Sequence, residues 1–234
     1  MPRLVTRSAI FDLDGTLADT VPDLHRLLGE LLAEEGLGAP SPAAVRGMVG
    51  DGVRALIGRA MAAIGQPADD PALDRLYARF MARYVATPCR LTALYPNVEG
   101  ALRQLAADGF ALGVCTNKPQ RVSELILEGL GVMRYFGAVV GGDALPVRKP
   151  DPAPLALLLE RLGVDREGAV MVGDSRNDLA TARAAGIPCV LVGFGYSDVP
   201  ARDLGANAVV DDFADLGCAI QRLGLAPGQG QQRG

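Results

Sequence analysis

Two aspartates one residue apart, Asp12 and Asp14, close an apolar run at residues 8–13 and lead into Gly15 and Thr16. In an extended segment, side chains at i and i+2 point to the same side. Two carboxylates that converge in this way repel each other unless a cation lies between them or one keeps a proton. Asp174 and Asp178 form a second acidic pair in GDSRND, one helical turn apart. Oxygen ligands without histidine or cysteine suit Mg2+ rather than zinc. Thr116 and Asn117 in VCTNK and Lys149 in RKPDP supply the complement, a hydroxyl, an amide and an ammonium that can bind phosphate oxygens. The pattern points to phosphoryl chemistry around a divalent cation.

These residues need strand ends to bring them together. Short apolar runs recur at 8–13, 110–116, 138–141, 169–173 and 188–192, with a weaker one at 206–210. Between them, helical periodicity predicts helices over 98–107, 122–130, 152–162 and 176–185, the last stopped by Gly186. Such alternation predicts a Rossmann-like parallel sheet covered by helices on both faces, an α/β fold. Ligands in such sheets bind beyond the carboxyl ends of the strands, where FDLDGT, TNK, GGD and GDSRND fall. Residues 22–89 break the alternation: helices at 24–35, 52–64 and 71–85, with Thr20 as an N-cap and Pro22 in the first turn, predict an all-helical insertion. The expected division is an α/β core of residues 1–20 and 90–225, a helical cap of 21–89, and a disordered tail at 226–234, which is polar and glycine-rich.

Composition narrows the function class. Net charge is −4 and no Lys/Arg run forms a basic stripe, which argues against nucleic-acid binding. No apolar run approaches the ~20 residues of a membrane span. Cys89, Cys115, Cys189 and Cys218 form no CxxC pair, so zinc is not expected. Cys115 and Cys189 read as small buried hydrophobes, and a reducing, cytoplasmic setting fits.

Taken together and in order, FDLDGTLADT, VCTNK, RKPDP and GDSRND resemble the four motifs of the haloacid dehalogenase superfamily across nearly the whole chain. The resemblance implies that Asp12 attacks phosphorus and forms an aspartyl-phosphate. Asp14 would protonate the leaving alcohol and then deprotonate the hydrolytic water. It further implies that Mg2+ is held by the Asp12 carboxylate, the Asp14 backbone carbonyl and Asp174, with Asp178 one layer behind. Thr116 and Lys149 would bind the phosphoryl group, and Asn117 would shape the site.

The segment RGMVGDGVRALIGRA in the insertion, with GTLADTVPDL and GGDALPVRKPDPAPL, looks most similar to phosphoglycolate phosphatases. Gly52 and Arg54 are accordingly the candidate substrate-specificity residues, with Arg54 pairing to a carboxylate. The expected substrate is a small phosphorylated metabolite, with 2-phosphoglycolate leading. A sugar phosphate, a nucleotide, pyrophosphate or a phosphomutase reaction stays open, as does a catalytically inert binding protein. Monomer and homodimer are equally compatible with the sequence.

Overall fold

The computed structural model describes residues 7–225, so the tail expected to be disordered lies outside the described residues. Six parallel strands form the main sheet in the order β5-β4-β1-β6-β7-β8. They are β1 (Ser8–Phe11), β4 (Ala111–Cys115), β5 (Ala138–Val140), β6 (Ala169–Gly173), β7 (Cys189–Val192) and β8 (Ala208–Val210). The central strand β1 pairs with both β4 and β6, setting Phe11 beside Val114 on one side and Val172 on the other. That register brings the ends of the three strands level, so the residues that follow each one meet at one edge.

The strands are buried on both faces, and successive side chains sort into two cores. Phe11, Val114 and Val172 pack on one face with α5 (Val98–Ala107), α6 (Gln120–Gly129) and α9 (Leu216–Arg222). Ile10, Cys115, Met171 and Cys189 pack on the other with α7 (Ala153–Leu162) and α8 (Arg176–Ala185). The period-2 alternation of a strand makes both faces apolar only when both are covered, as here. Gly186 closes α8 in the left-handed conformation expected of a C-cap glycine.

Four helices stand between β1 and β4: α1 (Val21–Glu34), α2 (Pro42–Arg46), α3 (Val53–Ala63) and α4 (Asp70–Ala86). Leu24, Leu27, Leu28, Leu31 and Leu32 give α1 one apolar stripe, and it packs on α2 and α4. The five-residue α2 was not legible from periodicity because it spans little more than one turn. The chain leaves the core through β2 (Ala18–Asp19) and returns through β3 (Ala93–Leu94), which pair antiparallel. Two-residue strands carry no periodic signal, and this crossing was not expected.

Thr20 differs from its expected role. It precedes α1, but its side chain makes no capping bond; its hydroxyl donates instead to Asp14. The Thr20 and Val21 backbone N–H groups donate to the Tyr196 hydroxyl, at 2.7 and 3.2 Å. A residue 176 positions away in sequence does the work of a local cap.

Candidate active site

The strand ends bring Asp12, Asp14, Thr116, Asn117, Lys149, Asp174 and Asp178 into one site, and the seven are buried or nearly so. Each acid of the first pair has its own lysine. Lys149 Nζ lies 3.1 Å from Asp12 Oδ1, which also accepts the Leu13 N–H at 2.7 Å. Lys118 Nζ lies 2.7 and 3.0 Å from the two oxygens of Asp14. Lys118 closes the VCTNK motif, yet no role is read for it there; its 3% exposure is what marks it out. The turn that carries the acids needs Gly15, whose φ is +75° and whose absent Cβ makes room for an Asp174 oxygen and the Tyr196 ring.

Asp178 is fully engaged. Its Oδ1 accepts from Lys149 Nζ at 2.6 Å, and its Oδ2 accepts from the Ser175 hydroxyl and the backbone N–H groups of Asp174 and Ser175. It thus orients the lysine on one side and the Asp174 loop on the other. Asp174 accepts the Tyr196 N–H at 2.6 Å and the Thr16 hydroxyl at 3.3 Å.

Electrostatically the site is short of positive charge. Burial pushes the Asp12 carboxyl up to about 6; Lys149 opposes this, while Asp178 and Asp14 add to it. Asp174 is pushed well above the usual carboxylate range, first by burial and then by Asp178 and Asp12. Burial alone would lower the ammonium of Lys149, but Asp12 and Asp178 outweigh it and hold that ammonium above its ordinary value. Lys118 is raised in the same sense, burial opposing and Asp14 prevailing.

Four carboxylates (Asp12, Asp14, Asp174, Asp178) against two ammoniums (Lys118, Lys149) leave two uncompensated negative charges. Carboxylate oxygens of Asp12, Asp174 and Asp178 lie within 4.8 Å of one another. A divalent cation that prefers oxygen fits both the charge and the donor set.

The loop after α2 reaches the site through Gly50 and Gly52. Asn117 Nδ2 donates to Gly50 O at 2.8 Å and to Lys149 O at 2.9 Å, so its amide ties the cap loop to two core loops. Its Oδ1 is buried without a partner. Gly52, at φ +89°, sits against the Asn117 carbonyl and the Arg148 guanidinium, with no room for a side chain unless Arg148 shifts. Asn177 Nδ2 donates to Asp51 Oδ1 at 2.9 Å.

Arg54 does not face the acids. Its guanidinium is held by Asp70 at 2.7 Å and Asp74 at 2.9 Å on the exposed side of the cap. Being one residue into α3 turns it toward α4 rather than toward the core. His25, on α1, is half-buried.

Two spaces adjoin Asp12 and Asp14. One is roofed by Leu24, Val49, Val53 and Leu56 and floored by Thr116, Asn117 and Lys118. Its volume of about 20 Å³ is room for roughly one water. The other is a wider polar cleft of about 410 Å³ toward Asp174, Ser175 and Asn177.

Fold and site together define a class. Residues 9–192 match the family model for haloacid dehalogenase-like hydrolases, and the chain belongs to that family. Among curated relatives, a phosphoglycolate phosphatase of Rhodospirillum rubrum is 50% identical over 232 residues, covering 94% of this chain and 96% of its own. A phosphoglycolate phosphatase of Cereibacter sphaeroides is 44% identical, covering 92% and 97%. A crystal structure described as a predicted phosphoglycolate phosphatase from Haemophilus somnus superposes with TM-score 0.83 at 32% identity, covering 90% of this chain and 96% of that one.

Proposed function

We propose that the protein is a Mg2+-dependent phosphatase that hydrolyses 2-phosphoglycolate through an aspartyl-phosphate on Asp12, acting in the cytoplasm. The observation that carries this reading is the pairing of two adjacent acids with separate buried lysines. Asp12 on Lys149 and Asp14 on Lys118 are held in different environments only a turn apart. Environments that differ at two neighbouring carboxyls suit two roles, nucleophile and acid/base. The names and full-length similarity of the relatives support the substrate.

In the first step an Asp12 oxygen bonds to phosphorus and the bond from phosphorus to the glycolate oxygen breaks. Asp14, protonated, donates its proton to that oxygen, and glycolate leaves. In the second step Asp14 takes a proton from water, whose oxygen bonds to phosphorus as the Asp12–phosphorus bond breaks. Inorganic phosphate is released and Asp12 is regenerated. Lys149 and the Thr116 hydroxyl offset charge on the phosphoryl oxygens throughout. Asp12, Asp174 and the Asp14 carbonyl would hold Mg2+, which supplies charge neutralisation for the transferring group. Asp178 keeps Lys149 and the Asp174 loop in place. Apolar side chains from α1 and α3 exclude bulk water from the Asp14 side.

The test is steady-state phosphate release from 2-phosphoglycolate against a panel of sugar phosphates, nucleotides and pyrophosphate, with Mg2+ and with excess chelator. The expected result is highest kcat/KM on 2-phosphoglycolate and no turnover with chelator. Asp12→Asn is expected to lower kcat by at least about 10³-fold. Substantial residual turnover in that variant would remove Asp12 as nucleophile.

A further inference from the structure

The roofed space beside Asp14 contains one cation. Among the described residues lining it, Lys118 is the only basic side chain; the others are the two acids, Thr116, Asn117, two glycines and four apolar side chains of the cap. An ester whose leaving group enters there meets an acid on one wall and hydrocarbon on the roof. If that leaving group carries a carboxylate, burying it without a cationic partner is prohibitive.

The ammonium of Lys118 is suitably placed. It reaches both oxygens of Asp14, at 2.7 and 3.0 Å, and the Tyr84 side chain is its other neighbour. Its Nζ lies 5.0 Å from the centre of the Tyr84 ring, so an aromatic face from α4 backs the charge. The phosphoryl end is served separately by Lys149, which is bound to Asp12 and Asp178 instead. The two lysines thus divide the site into a phosphoryl side and a leaving-group side. A phosphorylated two-carbon acid has its carboxylate only two bonds from the ester oxygen, within reach of the cation that holds Asp14.

Other cations are less well placed. Arg54 is held by Asp70 and Asp74 on the outer face of the cap. Arg59 lines the wider cleft, bound to Asp51 and to Met48 O. Arg176, exposed at the start of α8, also lines that cleft and is the strongest rival.

We propose that Lys118 is the specificity-determining residue of this site, recognising the carboxylate of the leaving group beside Asp14. The assignment rests on the phosphoglycolate reading above. It also fits the small size of the roofed space, which admits a two-carbon acid with less cap displacement than a sugar requires.

The experiment compares kcat/KM for 2-phosphoglycolate with kcat/KM for 2-hydroxyethyl phosphate, in which a neutral CH2OH replaces the carboxylate. Wild type, Lys118→Met and Arg176→Gln are measured side by side, with thermal melts to check folding. Because Lys118 also holds Asp14, both rates fall in Lys118→Met, and the ratio between them carries the information. The expected result is a ratio that drops about 10- to 100-fold in Lys118→Met and stays within about twofold of wild type in Arg176→Gln. Equal loss on both esters would overturn the inference, leaving Lys118 as a group that only positions Asp14. A ratio that falls in Arg176→Gln and not in Lys118→Met would overturn it in favour of the wider cleft. A wild-type ratio near one would sink the phosphoglycolate reading and this inference together, which separates that failure from the other two. If Lys118→Met does not fold, Lys118→Gln keeps a polar side chain without the charge, and the same ratio decides.

Discussion

Two places in this protein bury carboxylates, and they treat them in opposite ways. At the strand ends, burial pushes Asp12 and Asp174 upward, and the neighbouring acids add to it. At the hinge, where the chain crosses between core and cap, Asp23 on the first turn of α1 is equally inaccessible, yet its carboxyl is held below the usual range. Burial would raise it, but the N–H of Leu91, the guanidinium of Arg26 and the donors of Thr92 outweigh that. Its Oδ2 accepts three successive backbone N–H groups, Arg90, Leu91 and Thr92, at 2.9, 2.8 and 2.8 Å, and the Thr92 hydroxyl at 2.9 Å. Arg26 binds the other oxygen and reaches Thr87 O, so one ion pair staples the chain entering the cap to the chain leaving it. A buried acid with too few donors stores unfavourable energy available for binding a cation. A buried acid with a full set of donors is scaffolding.

The largest effect that would test this contrast is at Asp174. Asp174→Asn removes a charge the surroundings do not balance. Activity with Mg2+ should fall at least about 10³-fold, while the metal-free protein becomes more stable by about 1 kcal/mol. Denaturant melts without metal measure the second quantity; a destabilised variant would mean the strand-end acids are not in conflict.

Next in size is Asp23→Asn, which leaves several buried N–H groups short of an acceptor and Arg26 without its partner. It should cost about 3 kcal/mol of stability, read by the same melts. Loss of activity out of proportion to unfolding would give Asp23 a part in the chemistry. The pH dependence follows with a definite sign. Because the folded carboxyl is depressed, its contribution is complete above the unfolded value near 3.8 and is lost as pH falls through the lower folded value. Wild type's stability advantage over Asp23→Asn should therefore shrink progressively as pH falls below about 4; an advantage independent of pH in that range would refute the linkage.

Tyr196→Phe sharpens the contrast from the other direction, since this residue touches both regions. Its N–H holds Asp174, its hydroxyl serves the start of α1 and donates to Asp19 at 2.7 Å, and Arg46 of the cap stacks over its ring at 4.9 Å. Removing the hydroxyl should cost about 1–2 kcal/mol with Mg2+ affinity changed by less than about threefold, because the backbone contact to Asp174 stays. Titration of the metal against folded protein checks this; a large drop in affinity would show that hinge and metal site are one unit. The smallest effect is expected at Arg54→Ala. Its ion pairs are exposed and screened by solvent and lie away from the acids, so kcat/KM for 2-phosphoglycolate should stay within about twofold. A large rise in KM would return Arg54 to the substrate site.

How legible these features were depended on how locally each is built. The acids of FDLDGT and GDSRND stood out because they recur at predicted strand ends, and a parallel sheet aligns such ends whatever the details of packing. Thr116 was visible for the same reason. Asn117 was visible only as a polar residue; that its amide bridges Gly50 and Lys149 depends on the cap docking onto the core. Arg54 carried the right charge in the right segment, but a helix fixes side-chain direction by rotation, and α4 offered it two aspartates. Lys118 and Asp23 lie inside quoted motifs without a role that the motif assigns them, and Tyr196 lies outside every motif. Lys118 meets Asp14 across 104 positions, Asp23 meets residues 90–92 across 67 to 69, and the Tyr196 hydroxyl meets residues 19–21 across 175 to 177, beyond any periodic pattern.

The order of elements, the parallel sheet and the identity of the strand-end acids follow from the sequence alone, because hydrophobic period and strand termini are local properties of the chain. Which lysine meets which acid, how the hinge is stapled, and which cap residue faces the site were decided only by tertiary structure. Those pairings are set where distant segments exclude water together, and in that setting the number of donors around each buried carboxylate determines whether it binds or merely holds.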